Sequence, residues 1–78
     1  MTESWGKLRI EVVDDEIIIS LPGSSYSVTY FKRANSPQLL AKNISHSDDN
    51  RVSLKLSDFL VRAWKAANDT ARELGWIV

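Results

Sequence analysis

The stretch "LRIEVVDDEIIISL", residues 8–21, decides how this chain folds. "LRIEVV" alternates with period two, which puts Leu8, Ile10 and Val12 on one face of a strand and Arg9 and Glu11 on the other. "EIIISL" groups Ile17, Ile19 and Leu21 in the same way. A two-residue turn at Asp14 and Asp15 sets Val12 opposite Ile17, Ile10 opposite Ile19 and Leu8 opposite Leu21. Every pair is apolar against apolar. A slip of one residue would turn the whole apolar set to the wrong face, so the register is well specified. Asp-Asp is a weaker turn pair than Asn-Gly, and the hairpin therefore rests on the alternation.

Downstream, "LPGSSYSVTYFKR" extends the pattern. Pro22-Gly23 suits the two central positions of a type II turn, Pro presetting φ and Gly accepting a positive one. Tyr26, Val28 and Tyr30 then alternate and come to lie beside Ile19 and Ile17, so three strands share one apolar face. The opposite face is polar apart from Val13, Ile18 and Phe31. "ANSPQLLAKNI" has two readings: Ser36-Pro37 opens a short helix, or a fourth strand over 38–43 completes a meander. The strand gives the sheet a usable width and is preferred. "SHSDDNR" is a loop.

The C-terminal third carries a helical stripe of Leu56, Phe59, Leu60, Ala63, Trp64, Ala67, Ala71 and Leu74. Asp58, Arg62, Lys65, Asp69, Arg72 and Glu73 fall on the other side. Ser53 or Ser57 suits the N-cap. Gly75 suits the left-handed position after the last turn, with Trp76 folding back on Ala71. The expected architecture is a single α+β domain over 1–78. Two layers are expected, an antiparallel β-meander of three to four strands (about 7–13, 16–21, 25–32 and 38–43) packed against one C-terminal helix (about 54–74), with a loop at 44–53. Leu60, Ala67 and Leu74 are expected to press onto Ile10, Ile19 and Val28.

Composition bounds the function. The 78 residues are 44% hydrophobic and 26% charged, which suits one globular core. Ten Lys and Arg balance ten Asp and Glu, so the basic excess that gives nucleic-acid binders most of their affinity is missing. The absence of cysteine excludes disulfides, thiolate zinc sites and a cysteine nucleophile. Apolar runs are no longer than Ile17–Ile19. Neither a signal peptide nor a membrane span is expected, and the reading is a cytoplasmic protein.

Catalytic and metal chemistry find little footing. His46, Asp48 and Asp49 share a loop, but His46 is the only histidine and Asp-rich loops ordinarily make turns. Asp14, Asp15 and Glu16 read as solvated residues at a hairpin tip. Ser45, His46, Ser47 and Asp48 are neighbours in sequence, whereas a nucleophilic triad needs groups held by separate rigid elements. The three glycines, Gly6, Gly23 and Gly75, are isolated, so no phosphate loop is present. No catalytic residue, cofactor or metal is expected, and the chain reads as a non-enzyme.

"SDFLVRAWKAANDTARELGWIV" together with "YSVTYFKRANSPQLLAKN" resembles a pattern in small uncharacterised bacterial proteins, which implies no particular activity. In element order, a three-stranded meander followed by a helix is similar to the small DNA-binding domains at the N-terminus of phage-type integrases. Those domains carry several basic residues on the sheet face that enters the groove, and this chain departs from that pattern.

Two functions remain. The leading one is a protein-interaction module, with self-association through the bare sheet face or an edge strand as one form. Its candidate surface is Val13, Ile18 and Phe31, with Trp5 and Trp76 at the chain ends as hot-spot aromatics or as plugs of the core. The alternative is a nucleic-acid-binding domain that uses Arg9, Lys32, Arg33 and Lys42, extended by Lys7, around an outward Phe31.

Overall fold

A computed structural model describes residues 8–77. It has the expected α+β architecture, one four-stranded antiparallel sheet packed against a single C-terminal helix. In chain order the elements are β1 (Arg9–Val13), β2 (Glu16–Ser20), β3 (Ser27–Lys32), β4 (Leu39–Lys42) and α1 (Leu56–Leu74). The strands lie side by side in that order. The segment with two readings is thus a strand.

The hairpin register follows the alternation, with Ile10 opposite Ile19 and Val12 opposite Ile17. Asp14 accepts φ 53° while Asp15 does not go positive, the sign pattern of a type II′ turn, whose twist suits a hairpin. At the next connection Gly23 sits at φ 85° and the Ser24 N–H donates to the Leu21 carbonyl at 3.1 Å, as a type II turn over Pro22-Gly23 requires. That turn delivers Val28 opposite Ile19 and Tyr30 opposite Ile17.

The core lies between α1 and the middle of the sheet. Ile17, Ile19, Val28, Phe59, Ala63, Ala67 and Ala71 are fully buried. The alanines let the helix axis approach the strands, and Phe59 stacks on Tyr26 with ring centroids 5.3 Å apart. Each large side chain so buried contributes about 1.5–3 kcal/mol, against a total stability of roughly 5 kcal/mol for a domain this small. Gly75 at φ 80° closes α1. Its N–H donates to the Arg72 carbonyl at 3.1 Å and the Trp76 N–H to the Ala71 carbonyl at 2.8 Å, the paired bonds of a Schellman motif.

Three expectations need correction. First, α1 packs over β2 and β3 and leaves the helix side of β1 uncovered, so Ile10 is 44% exposed and Leu74 46%. Ala67, Ile19 and Val28 do meet in the core, with Leu60 partly buried against it. The reason is width: a helix about 10 Å across spans about two strands spaced about 4.8 Å apart. Second, Trp64 lies at the margin of the stripe, 46% exposed, with its indole tilted against Tyr30 at 5.8 Å. Third, neither Ser53 nor Ser57 caps the helix. Lys55 holds the N-cap position without a side-chain bond, and the Leu56 N–H donates instead to Asp48 Oδ1 at 2.8 Å.

Candidate interaction surface

The polar loop between β4 and α1 is structural. Asp49 is buried and gathers hydrogen bonds from the Ser25 N–H (2.7 Å), the Arg51 N–H (2.9 Å) and the Arg51 guanidinium, Nη2 at 2.8 Å and Nε at 3.0 Å. The guanidinium first, and the two backbone donors after it, hold the Asp49 carboxyl well below the usual carboxylate range. Its own N–H donates to the Tyr26 hydroxyl at 2.9 Å, and that hydroxyl donates to the Leu54 carbonyl at 2.8 Å. Ser45 is similarly engaged, its hydroxyl accepting from the Ser27 N–H at 2.9 Å and facing the Ser25 and Ser27 carbonyls. Asp48 caps α1. These side chains fasten the loop to the β2–β3 turn. Among the described residues no three His, Cys, Asp or Glu converge as a metal site would require.

On the sheet face away from α1, the register places Val13, Ile18 and Phe31 together with Leu40, Glu11, Glu16 and Lys42. Val13 is 48% exposed, and Ile18 and Phe31 are half-buried. Leu40, from the fourth strand, adds an apolar group that the sequence reading had not placed there. The patch is broken by charge. Lys42 pairs with Glu16 and stands over the Phe31 ring at 5.2 Å, while Arg33 approaches the same ring at 6.0 Å.

The four basic residues of the alternative reading are spread out. Arg9 lies on β1 beside Glu11, 3.6 Å away. Lys42 is across the sheet on β4. Lys32 belongs to the helix side, opposite Leu39, with its ammonium on the Arg33 carbonyl at 3.3 Å. At the Phe31 ring only Arg33 and Lys42 of the four come together. Trp76 is half-buried, packs against the core and lines a shallow concavity with Asp15, Lys32, Arg33 and Ala34. Trp5 and Lys7 lie outside the described residues.

The most open element is β1, in which all five residues are exposed. Its inner edge pairs with β2, and among the described residues no strand pairs with its outer edge. A two-residue turn closes on a pair that exchanges both backbone bonds, here Val13 with Glu16. The backbone alternation then aims the N–H and C=O groups of Glu11 and Arg9 at β2 and those of Val12, Ile10 and Leu8 outward. Two of these residues carry apolar side chains that α1 leaves bare, Ile10 at 44% and Val12 at 45% exposed, while Leu8 is partly buried against the core. The other edge is better guarded. β4 has four residues, follows Pro37, and ends at Asn43 with φ 53°, features that blunt strand addition.

Alternation named Ile10 and Val12 as core. Their exposure was readable only by asking how many strands one helix covers. No family model, curated protein or solved structure matches this chain.

Proposed function

We propose that this chain is a non-enzymatic protein-interaction module that associates through the β1 edge, taking a strand from another chain into its sheet. The observation that carries this reading is the coincidence, on one strand, of outward backbone groups with uncovered Ile10 and Val12. A strand laid along β1 satisfies the first and buries the second, which is how strand addition combines affinity with side-chain selection. The charge-broken face around Phe31 offers a poorer apolar surface, and Trp76 already commits part of its area to the core.

Ile10→Pro tests this reading. The Ile10 N–H points away from β2, so proline there leaves the β1–β2 ladder intact and blocks the outer edge. Affinity capture from the native cell, combined with the solution mass of the purified protein, is expected to give chains retained by the wild type and lost by the variant. Equal retention by both, or a wild type that retains nothing and stays monomeric, contradicts the reading. Salt-dependent oligonucleotide binding lost in Arg33→Ala with Lys42→Ala would favour the nucleic-acid alternative.

A further inference from the structure

We infer that the strand taken up by β1 is β1 of a second copy of this chain, antiparallel, with the two-fold axis passing beside Ile10. The inference rests on the reading of β1 as the associating edge and identifies its occupant.

Charged residues on an edge strand normally oppose pairing. Here their order makes them self-complementary. With Ile10 opposite Ile10 of the second copy, Arg9 of each copy faces Glu11 of the other, and Leu8 faces Val12. Arg9 and Glu11 share the face away from α1, where they already sit 3.6 Å apart within one strand, so the cross-strand pair needs little rearrangement. Leu8, Ile10 and Val12 share the helix side. Every facing pair is therefore apolar with apolar or positive with negative.

Neighbouring registers fail. Centring on Glu11 sets two carboxylates face to face, and centring on Arg9 sets two guanidinium groups together, both with the backbone groups of the central residue aimed at β2. Of these three registers, only the one centred on Ile10 also matches the hydrogen-bonding phase. Ile10, Leu8 and Val12 are the residues whose N–H and C=O groups point outward, so Ile10 bonds to its own counterpart and Leu8 to Val12 in both directions.

The two-fold axis stands perpendicular to the sheet, so both helices lie on the same side of one continuous sheet. Between them runs a trough floored by Leu8, Ile10 and Val12 of each copy. Its walls carry Arg62, Lys65, Ala66 and Asp69, which with Leu8 already line a concavity beside β1. Lys65 and Asp69 stand 3.6 Å apart, so both signs of charge are present on each wall.

Exchange of the paired charges tests the register directly. Arg9→Glu and Glu11→Arg change exposed side chains only, and far-UV circular dichroism with urea unfolding verifies that each variant folds. The wild type is expected to self-associate below about 1 mM by sedimentation equilibrium, as a small strand-to-strand interface allows. Each single variant opposes like charges twice per pair and is expected to associate at least roughly tenfold more weakly. In a one-to-one mixture, the β1 strand of the first variant carries two acidic groups and that of the second carries two basic ones. Opposite charges then face each other at both pairs, so the mixture is expected to recover wild-type association as a heterodimer. Single variants that associate like the wild type, or a mixture without recovery, overturn this register. A wild type that remains monomeric to about 1 mM, while capture of another protein still depends on Ile10, overturns the second copy as occupant and leaves the interaction module standing. Loss of both removes the two readings together.

Discussion

Replacing Tyr26 by phenylalanine removes one oxygen atom and is expected to remove much of the stability of the domain. Tyr26 is 1% exposed and its hydroxyl joins two backbone groups distant in sequence, donating to the Leu54 carbonyl at 2.8 Å and accepting from the Asp49 N–H at 2.9 Å. Phenylalanine keeps the stack on Phe59 at 5.3 Å but leaves both groups without a partner. A buried backbone group stripped of its bond costs about 1–3 kcal/mol. Two such groups give about 2–4 kcal/mol once partial access of water is allowed, a large part of the roughly 5 kcal/mol that holds such a domain folded. Urea unfolding followed by tryptophan fluorescence measures the change, with the denaturant slope expected to stay at the wild-type value. Amide exchange at Asp49 is expected to rise in the same variant. A loss under about 0.5 kcal/mol, or an Asp49 amide as protected as before, would refute the idea that this hydroxyl holds the loop to the sheet.

Asp48→Ala is expected to cost about 1 kcal/mol by removing the acceptor at the start of α1, while Ser53→Ala and Ser57→Ala change little; urea unfolding of the three variants checks the order. Asp49 has a folded-state titration point below its unfolded value of 3.8, so its contribution is fully present above that pH and fades as the carboxyl is protonated below it. Asp49→Asn is therefore expected to flatten the stability profile between about pH 4 and pH 2 relative to the wild type, measured by urea unfolding across that range.

The sheet was legible because its information is local. Ile17, Ile19, Val28 and Tyr30 alternate within short runs, and Pro22-Gly23 and Gly75 mark their turns through backbone chemistry that each residue carries alone. Fixing those faces and turns leaves one register. The fourth strand was harder, since "QLLAK" has no strict alternation and becomes a strand by pairing with β3.

What escaped the sequence was partnership at a distance. Asp48 and Asp49 read as turn-making loop residues because nothing nearby announces that Leu56, Ser25 and Tyr26 will arrive beside them. Asp49 and Tyr26 are 23 positions apart. The openness of β1 escaped for a different reason: periodicity identifies the face to be buried but not the width of what buries it. Ile10 and Ile19 are paired in register and equally apolar, yet one is 44% exposed and the other 0%, because the helix ends its coverage between them.

Backbone amide exchange along β1, followed by nuclear magnetic resonance at low and high protein concentration, tests most directly whether that strand is an open, associating edge. In dilute solution Glu11 and Val13 should be protected by β2, with Leu8, Ile10 and Val12 exchanging freely, and raising the concentration should slow exchange at Leu8, Ile10 and Val12 alone. Protection of Ile10 and Val12 already at dilution, or indifference to concentration, would contradict it.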